Sequence, residues 1–204
     1  MLGLVKPGWQ SNNESKAVRA VERVTNEETL AQIACDEKVI HRLKVGMMIV
    51  AKLADQSLLA EIAKNGGESV VSKAAAEKLV EQEVLLDVAK NSRYSSAKIA
   101  AAEKLADKSL TQEMYANIAR DMTDIYGQLE VAPKLEDTKL AQDTYDMLAK
   151  NKFVDVKVRA KAIMSLTSVK KLTKISEGSE KKYVVDDVDL REVARDKIKE
   201  LSQA

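Results

Sequence analysis

An identical hexapeptide occurs twice in this chain: Ala74-Ala75-Ala76-Glu77-Lys78-Leu79 returns as Ala100-Ala101-Ala102-Glu103-Lys104-Leu105, shifted by 26 residues. Self-similarity at a period of this length marks repeat architectures, in which small supersecondary units stack on one another. The same shift carries Leu59-Ala60-Glu61-Ile62-Ala63-Lys64-Asn65 onto Leu85-Leu86-Asp87-Val88-Ala89-Lys90-Asn91, so each unit holds two apolar segments. Looser copies flank these. Glu22-Arg23-Val24 precedes Leu30-Ala31-Gln32-Ile33-Ala34, and Ala51-Lys52-Leu53 precedes Leu58-Leu59 and Ile62-Ala63, with the spacing stretched to about 30 residues.

Within a unit the apolar positions fall at helical spacing, as in Leu59, Ile62 and Ala63 or Val71, Ala75 and Leu79, which predicts two short amphipathic helices. Asp55, Glu81 and Asp107 stand between the segments, where a carboxylate accepts from free backbone amides and meets the positive end of the helix dipole. These acids, with Leu79 and Leu105, belong to the repeat framework. A helix of about ten residues is marginal in water and a single pair has too little apolar surface for a core. The units must therefore stack, which predicts an α-solenoid of about six helix pairs running through residues 1–204, with sub-blocks 1–130 and 133–204.

Composition agrees. Only 2 Pro and 7 Gly occur among 204 residues, hydrophobic residues make up 45% and aromatic residues 3%, the balance of an all-α chain that folds around one sizeable or two small cores. The 33 basic and 32 acidic residues nearly cancel, which argues against a general binder of nucleic acid or anionic membrane. A single cysteine, Cys35, excludes an intrachain disulfide and fits a reducing compartment. Lys6, Pro7 and Gly8 interrupt the short apolar start before a signal-peptide core forms, and Val45 to Ala51 is far below membrane-spanning length. A cytoplasmic protein with no membrane contact is the expectation.

Asp155-Val156-Lys157-Val158-Arg159-Ala160-Lys161-Ala162 matches an Asp-x-x-Val-Arg-x-x-Ala pattern, and here the chain resembles the HEAT-like helical repeats, in their compact bacterial form. The resemblance implies a helical solenoid that binds other macromolecules along a concave face, with Asp155 and Arg159 in a ladder between neighbouring repeats. The other copies place Gly46, Ser72 and Lys98 where Arg159 stands, so a continuous arginine ladder is not expected.

Beyond Leu110 the apolar steps Met114, Ile118, Met122, Ile125 and Leu129 predict one longer helix, mostly core, with Tyr115 and Tyr126 beside the stripe as candidate docking residues. Pro133 marks a block boundary. Residues 121–146 hold seven acids against Lys134 and Lys139, a net of −5, whereas residues 150–182 carry ten basic residues against Asp155, Glu177 and Glu180, a net of +7. Two readings stand: the blocks pair with each other, or Lys157, Arg159, Lys161, Lys170, Lys171 and Lys174 receive an acidic partner.

Cys35 and His41 are six apart and share no helical face, so a buried thiol and a surface or capping histidine are expected, with no metal or cofactor site. Gly66-Gly67 reads as a helix stop, Glu27-Glu28 and Asp186-Asp187 as helix starts, and Asp189 with Glu192 as a capping box. Trp9 precedes the first helix and is expected to cap the open end of the stack.

No catalytic residue is assigned. The leading expectation is a non-catalytic scaffold or adaptor that holds a protein partner by shape and charge. The alternative is a nucleic-acid-binding or DNA-base-processing helical-repeat protein that uses the basic 150–182 segment. A third class, an enzyme accessory such as a cofactor-attachment lyase, has no nucleophile or cofactor pocket to mark it.

Overall fold

The structure is a computed structural model and describes residues 7–36, 39, 42–178, 183–185 and 188–203. Among these it is all-α, with 13 helices packed against their neighbours. They are α1 (Glu14–Glu22), α2 (Glu27–Cys35), α3 (Leu43–Lys52), α4 (Gln56–Asn65), α5 (Ser69–Lys78), α6 (Gln82–Asn91), α7 (Ser95–Glu103), α8 (Lys108–Arg120), α9 (Ile125–Val131), α10 (Thr138–Lys150), α11 (Val156–Met164), α12 (Val169–Ser176) and α13 (Leu190–Gln203). Gly8–Gln10 and Ala132–Lys134 are single 3-10 turns. The one pair of strands among the described residues, β1 (Val184–Val185) and β2 (Val188–Asp189), is antiparallel and two residues long.

The chain divides into two compact units, Met1–Met114 and Tyr115–Ala204, with the division inside α8. In the first unit, odd-numbered helices pack on odd (α1 on α3, α3 on α5, α5 on α7) and even on even (α2 on α4, α4 on α6). The two rows meet through α2 with α3, α4 with α5 and α6 with α7. The repeated alanines explain the broad α5–α7 contact: Ala75, Ala76, Ala101 and Ala102 are all buried, and small side chains let two helices approach closely.

The expected acids stand where helices begin. Asp55 Oδ1 accepts from the Ser57 and Leu58 amides at 2.9 and 3.0 Å. Asp107 Oδ1 accepts from Ser109 N at 2.8 Å. Glu81 occupies the same cap position before α6 without a capping hydrogen bond of its side chain. Asn26, ahead of Glu27 and Glu28, caps α2 through Thr29 N at 2.7 Å. Asp137 and Asp155 cap α10 and α11. Two residues before each of these acids from Asp55 to Asp137 a leucine is buried: Leu53, Leu79, Leu105 and Leu135.

The second unit gathers Tyr145, Leu148, Ile163, Leu166, Leu172, Ile175, Tyr183 and Leu190 into one core, with Ile125 and Leu129 of α9 and Val156 of α11 packed on it. The long helix expected from Met114 to Leu129 is two helices. The chain turns at Asp121, whose Oδ1 accepts from Thr123 N at 2.9 Å and Thr123 Oγ1 at 2.7 Å, an Asx-type turn that ends α8. Met122 is 72% exposed as a result, while Met114 and Ile118 are buried. Pro133 lies in the 3-10 turn that follows α9.

Candidate interaction surface

One joint recurs between successive odd helices of the first unit. Lys52, at the end of α3, donates from Nζ to Glu22 O at 2.9 Å and Val24 O at 2.5 Å, at the end of α1. Lys78, at the end of α5, donates to Val50 O at 2.8 Å and Leu53 O at 2.5 Å, at the end of α3. Lys104, which follows α7, donates to Glu77 O at 2.5 Å near the end of α5. Each ammonium thus closes the carbonyl end of the helix before it, where orphan acceptors and the negative end of the dipole favour a cation. Sequence reasoning passed over these lysines, although the recurring Lys-Leu pair at 52, 78 and 104 was their signal.

A second link joins the even helices to the stretches between helices. Gln56 Oε1 accepts from Val80 N and Gln82 Oε1 from Ala106 N, both at 2.8 Å. In the second unit Gln142 Oε1 accepts from Thr167 N at the same distance while its Nε2 donates to Ser165 O at 3.1 Å.

The basic residues of the second unit separate into three groups. Arg159 is 1% exposed, so it belongs to the interior and leaves the set of partner-binding candidates. Its Nε donates to Ala149 O at 3.0 Å and its guanidinium lies 5.6 Å from the Tyr183 ring centre. Burial pushes the guanidinium below its usual range, and Tyr183 opposes that shift. Asp155 uses Oδ1 to accept from Lys157 N at 2.8 Å. Lys171 pairs with Asp143 at 2.6 Å, and this hydrogen bond holds the Asp143 carboxyl below the usual carboxylate range. Lys150 likewise donates to Asp146 at 2.6 Å. The acidic and basic blocks therefore do meet in part. Lys157 and Lys161 on α11, and Lys170 and Lys174 on α12, are exposed with no ion-pair partner among the described residues.

The two candidate tyrosines differ. Tyr115 is buried, with the Lys134 ammonium 6.0 Å from its ring centre, and offers no docking surface. Tyr126 is 74% exposed at the start of α9. Phe153, in the turn between α10 and α11, is 84% exposed beneath Lys152, whose Nζ is 5.0 Å from its ring centre.

Trp9 sits half-buried in the 3-10 turn that packs on α1, with Gly8 pressed against the helix: a Cβ there would lie 2.8 Å from Ala20 Cβ. Gln10 Nε2 donates to Asp36 Oδ2 at 2.8 Å, tying the turn to the end of α2, and Arg42 donates to Ser11 O. Trp9 lines a small pocket with Thr29, Gln32 and Ile33.

Cys35 is half-buried rather than fully enclosed. Burial raises its thiol, and the Glu61 carboxylate raises it further. His41, Asp186 and Asp187 lie outside the described residues. Among the described residues no metal-holding cluster of His, Cys, Asp and Glu occurs, and no helix is long and apolar enough to cross a membrane.

No family model, curated protein or solved structure matches this chain.

Proposed function

We propose that this chain is a non-catalytic scaffold or adaptor, a HEAT-like α-solenoid of the compact type that holds a protein partner on the faces of its stacked helices. The observation that carries the reading is the recurring lysine joint at Lys52, Lys78 and Lys104. Repeat proteins are quasi-one-dimensional: stability comes from neighbour interfaces, so the outer faces are released for binding. Lys157, Lys161, Lys170 and Lys174, exposed and with no ion-pair partner among the described residues, supply charge for a partner. A reducing, cytoplasmic setting suits a chain with one thiol.

Those same lysines favour the second reading, a nucleic-acid-binding helical-repeat protein. Salt dependence separates the two, since neutralising phosphates makes affinity fall steeply with salt. The test is a pull-down from cell lysate with and without nuclease, followed by mass spectrometry. A discrete protein kept through nuclease treatment and through moderate salt supports the scaffold; material lost with nuclease puts nucleic acid first.

A further inference from the structure

Residues 1–114 hold 16 basic and 16 acidic side chains, and the first unit sorts them by row. Every charge is counted in full, whether or not it makes a hydrogen bond. On that count α1, α3, α5 and α7 with their capping residues carry ten basic residues against Glu14, Glu22, Glu68, Glu77 and Glu103, a net of +5. The helices α2, α4 and α6 with their caps carry eight acids against Lys64 and Lys90, a net of −6. The ion pairs Lys44 with Glu14 and Lys64 with Asp87 each lie within one row, so neither offsets the separation. The odd row is basic and the even row acidic.

The odd row also holds the apolar side chains that folding leaves in solvent. Among the described helices of the first unit, the exposed large apolar residues are Leu43, Met47 and Val70, at 46, 38 and 53%. They stand on α3 and α5, which pack on each other. Their adjacency follows from a register that the repeat shows twice. Lys44, second in α3, donates to Glu14, first in α1, at 3.0 Å, and Ser96, second in α7, donates to the carbonyl of Ser69, first in α5, at 3.2 Å. Val70 is second in α5 and Leu43 first in α3, so stacking of like units sets them side by side. Met47 is one helical turn beyond Leu43, and the tight approach of Gly46 to Val71 lies next to the pair. Two hollows border this group, one lined by Asn12, Glu14, Arg42 and Leu43, the other by Ser15, Val18, Arg19 and Lys44 among others.

We propose that the exposed face of α1, α3 and α5, centred on Leu43, Met47 and Val70, is the docking site for an acidic protein segment that carries apolar anchors. The inference rests on the scaffold reading and names the class of partner and its place. With their caps these three helices hold eight basic residues against Glu14, Glu22, Glu68 and Glu77, a field that steers an acidic chain in and disfavours a basic one. Grouped apolar side chains form the centre of a protein interface, where methionine is enriched and charge depleted. A phosphate backbone would use the charge and leave the apolar group uncovered.

A random-peptide phage library selected on the immobilised full chain tests this, beside a fourfold variant carrying Arg19→Glu, Leu43→Ser, Met47→Ser and Val70→Ser. All four sites are exposed, so the variant should melt with the parent; if it melts lower, the pair Arg19→Glu and Val70→Ser carries the comparison. A control with Glu28→Gln and Glu83→Gln, exposed acids of the even row, should bind as the parent does. The expected result is enrichment of acidic sequences with apolar anchors on the parent, with the selected peptides about tenfold weaker or more on the fourfold variant, a change of ~1.4 kcal/mol. Binding that survives the four substitutions overturns the site and leaves the scaffold reading standing. Enrichment of basic sequences overturns the partner class. An absence of enrichment on the parent overturns the proposal, and two further readings tell what replaces it. Binding of fluorescein-labelled oligo(dT), lost in the fourfold variant, puts nucleic acid on this face and removes the scaffold reading as well. A mass that rises with concentration in light scattering, and does not in the variant, puts a second copy of this chain there and leaves that reading standing.

Discussion

Gln128 and Arg159 are counterparts: each stands four residues beyond the aspartate that caps its helix, and each donates to an alanine carbonyl near the end of the preceding helix, Ala119 O at 3.1 Å and Ala149 O at 3.0 Å. In the first unit Ser72 holds the corresponding place after Glu68 and donates from Oγ to Ile62 O at 3.2 Å, near the end of α4. A single position of the repeat thus satisfies a helix end with three different side chains. What those three share is the donated hydrogen bond, since a buried carbonyl left without a partner is costly, whereas Gly46 at the same place in α3 has no side chain to donate.

Arg159→Ala should therefore cost about 3 kcal/mol or more, from the orphaned carbonyl and the lost side-chain volume. Arg159→Gln, which installs the residue that serves at 128, should recover a large part of that loss. Urea unfolding of the two variants checks the ranking, and equal losses would refute the equivalence.

Lys78→Met should destabilise by about 0.5–1 kcal/mol, the usual worth of a cation at a partly exposed helix end. Its local signature is sharper than its global one: amide exchange should quicken at the end of α3, whose carbonyls lose their donor. Lys90→Met on α6, an exposed lysine, serves as the control that leaves α3 exchange unchanged.

Gly46 faces Val71 so closely that a Cβ would lie 2.7 Å from Val71 Cγ2. Gly46→Ala should cost about 1–3 kcal/mol through overpacking, and Val71→Ala made in that background should restore part of it. Additive losses in the double variant would show that the α3–α5 contact is not the cause.

The Asp189 carboxyl is lowered from 3.8 to about 2, chiefly by its hydrogen bond to Arg191. Because the folded value lies below the unfolded one, the stabilisation is complete above about pH 4 and disappears as the pH falls toward 2. An acid titration of Asp189→Asn should run below the parent in stability at neutral pH and converge with it at the acid end. A gap that persists at the lowest pH would contradict the assignment.

The thiol of Cys35 is raised first by burial and then by Glu61. Alkylation at neutral pH should be slower than for an unhindered thiol, since the thiolate is the nucleophile. Glu61→Gln should speed it, and an unchanged rate would separate Glu61 from the thiol.

The helices and most of their caps were legible because their causes are local: apolar spacing, and an acid one residue before the first turn. The helix position shared by Gly46, Ser72, Lys98 and Arg159 was legible for the same reason, being a fixed distance from each helix start. In sequence Arg159 belongs both to the repeat framework and to the basic block, and because arginine is so seldom buried only the third dimension shows it enclosed with Ala149 O as its acceptor. The run from Met114 to Leu129 misled because its apolar steps continue across a turn, and the signal against a helix was the short Asp121-x-Thr123 sequence. The lysine joints escaped because a charged residue at an exposed helix end looks the same in sequence whether it meets water or the helix before it. The exposure of Met122, Tyr126 and Phe153 was not legible, since exposure of an apolar side chain has no sequence signature.

The lysine joint also bears on how such a chain can change its length. Lys78 and the carbonyls it seeks, Val50 O and Leu53 O, belong to consecutive repeats, and the segment from one Lys-Leu pair to the next carries both an ammonium and a fresh set of carbonyls. A tandem duplication of that segment inserts a unit that already fits the neighbour on either side, and a deletion of one whole period leaves two ends that still match. The identical hexapeptides at 74–79 and 100–105 have the form such a copying event would leave.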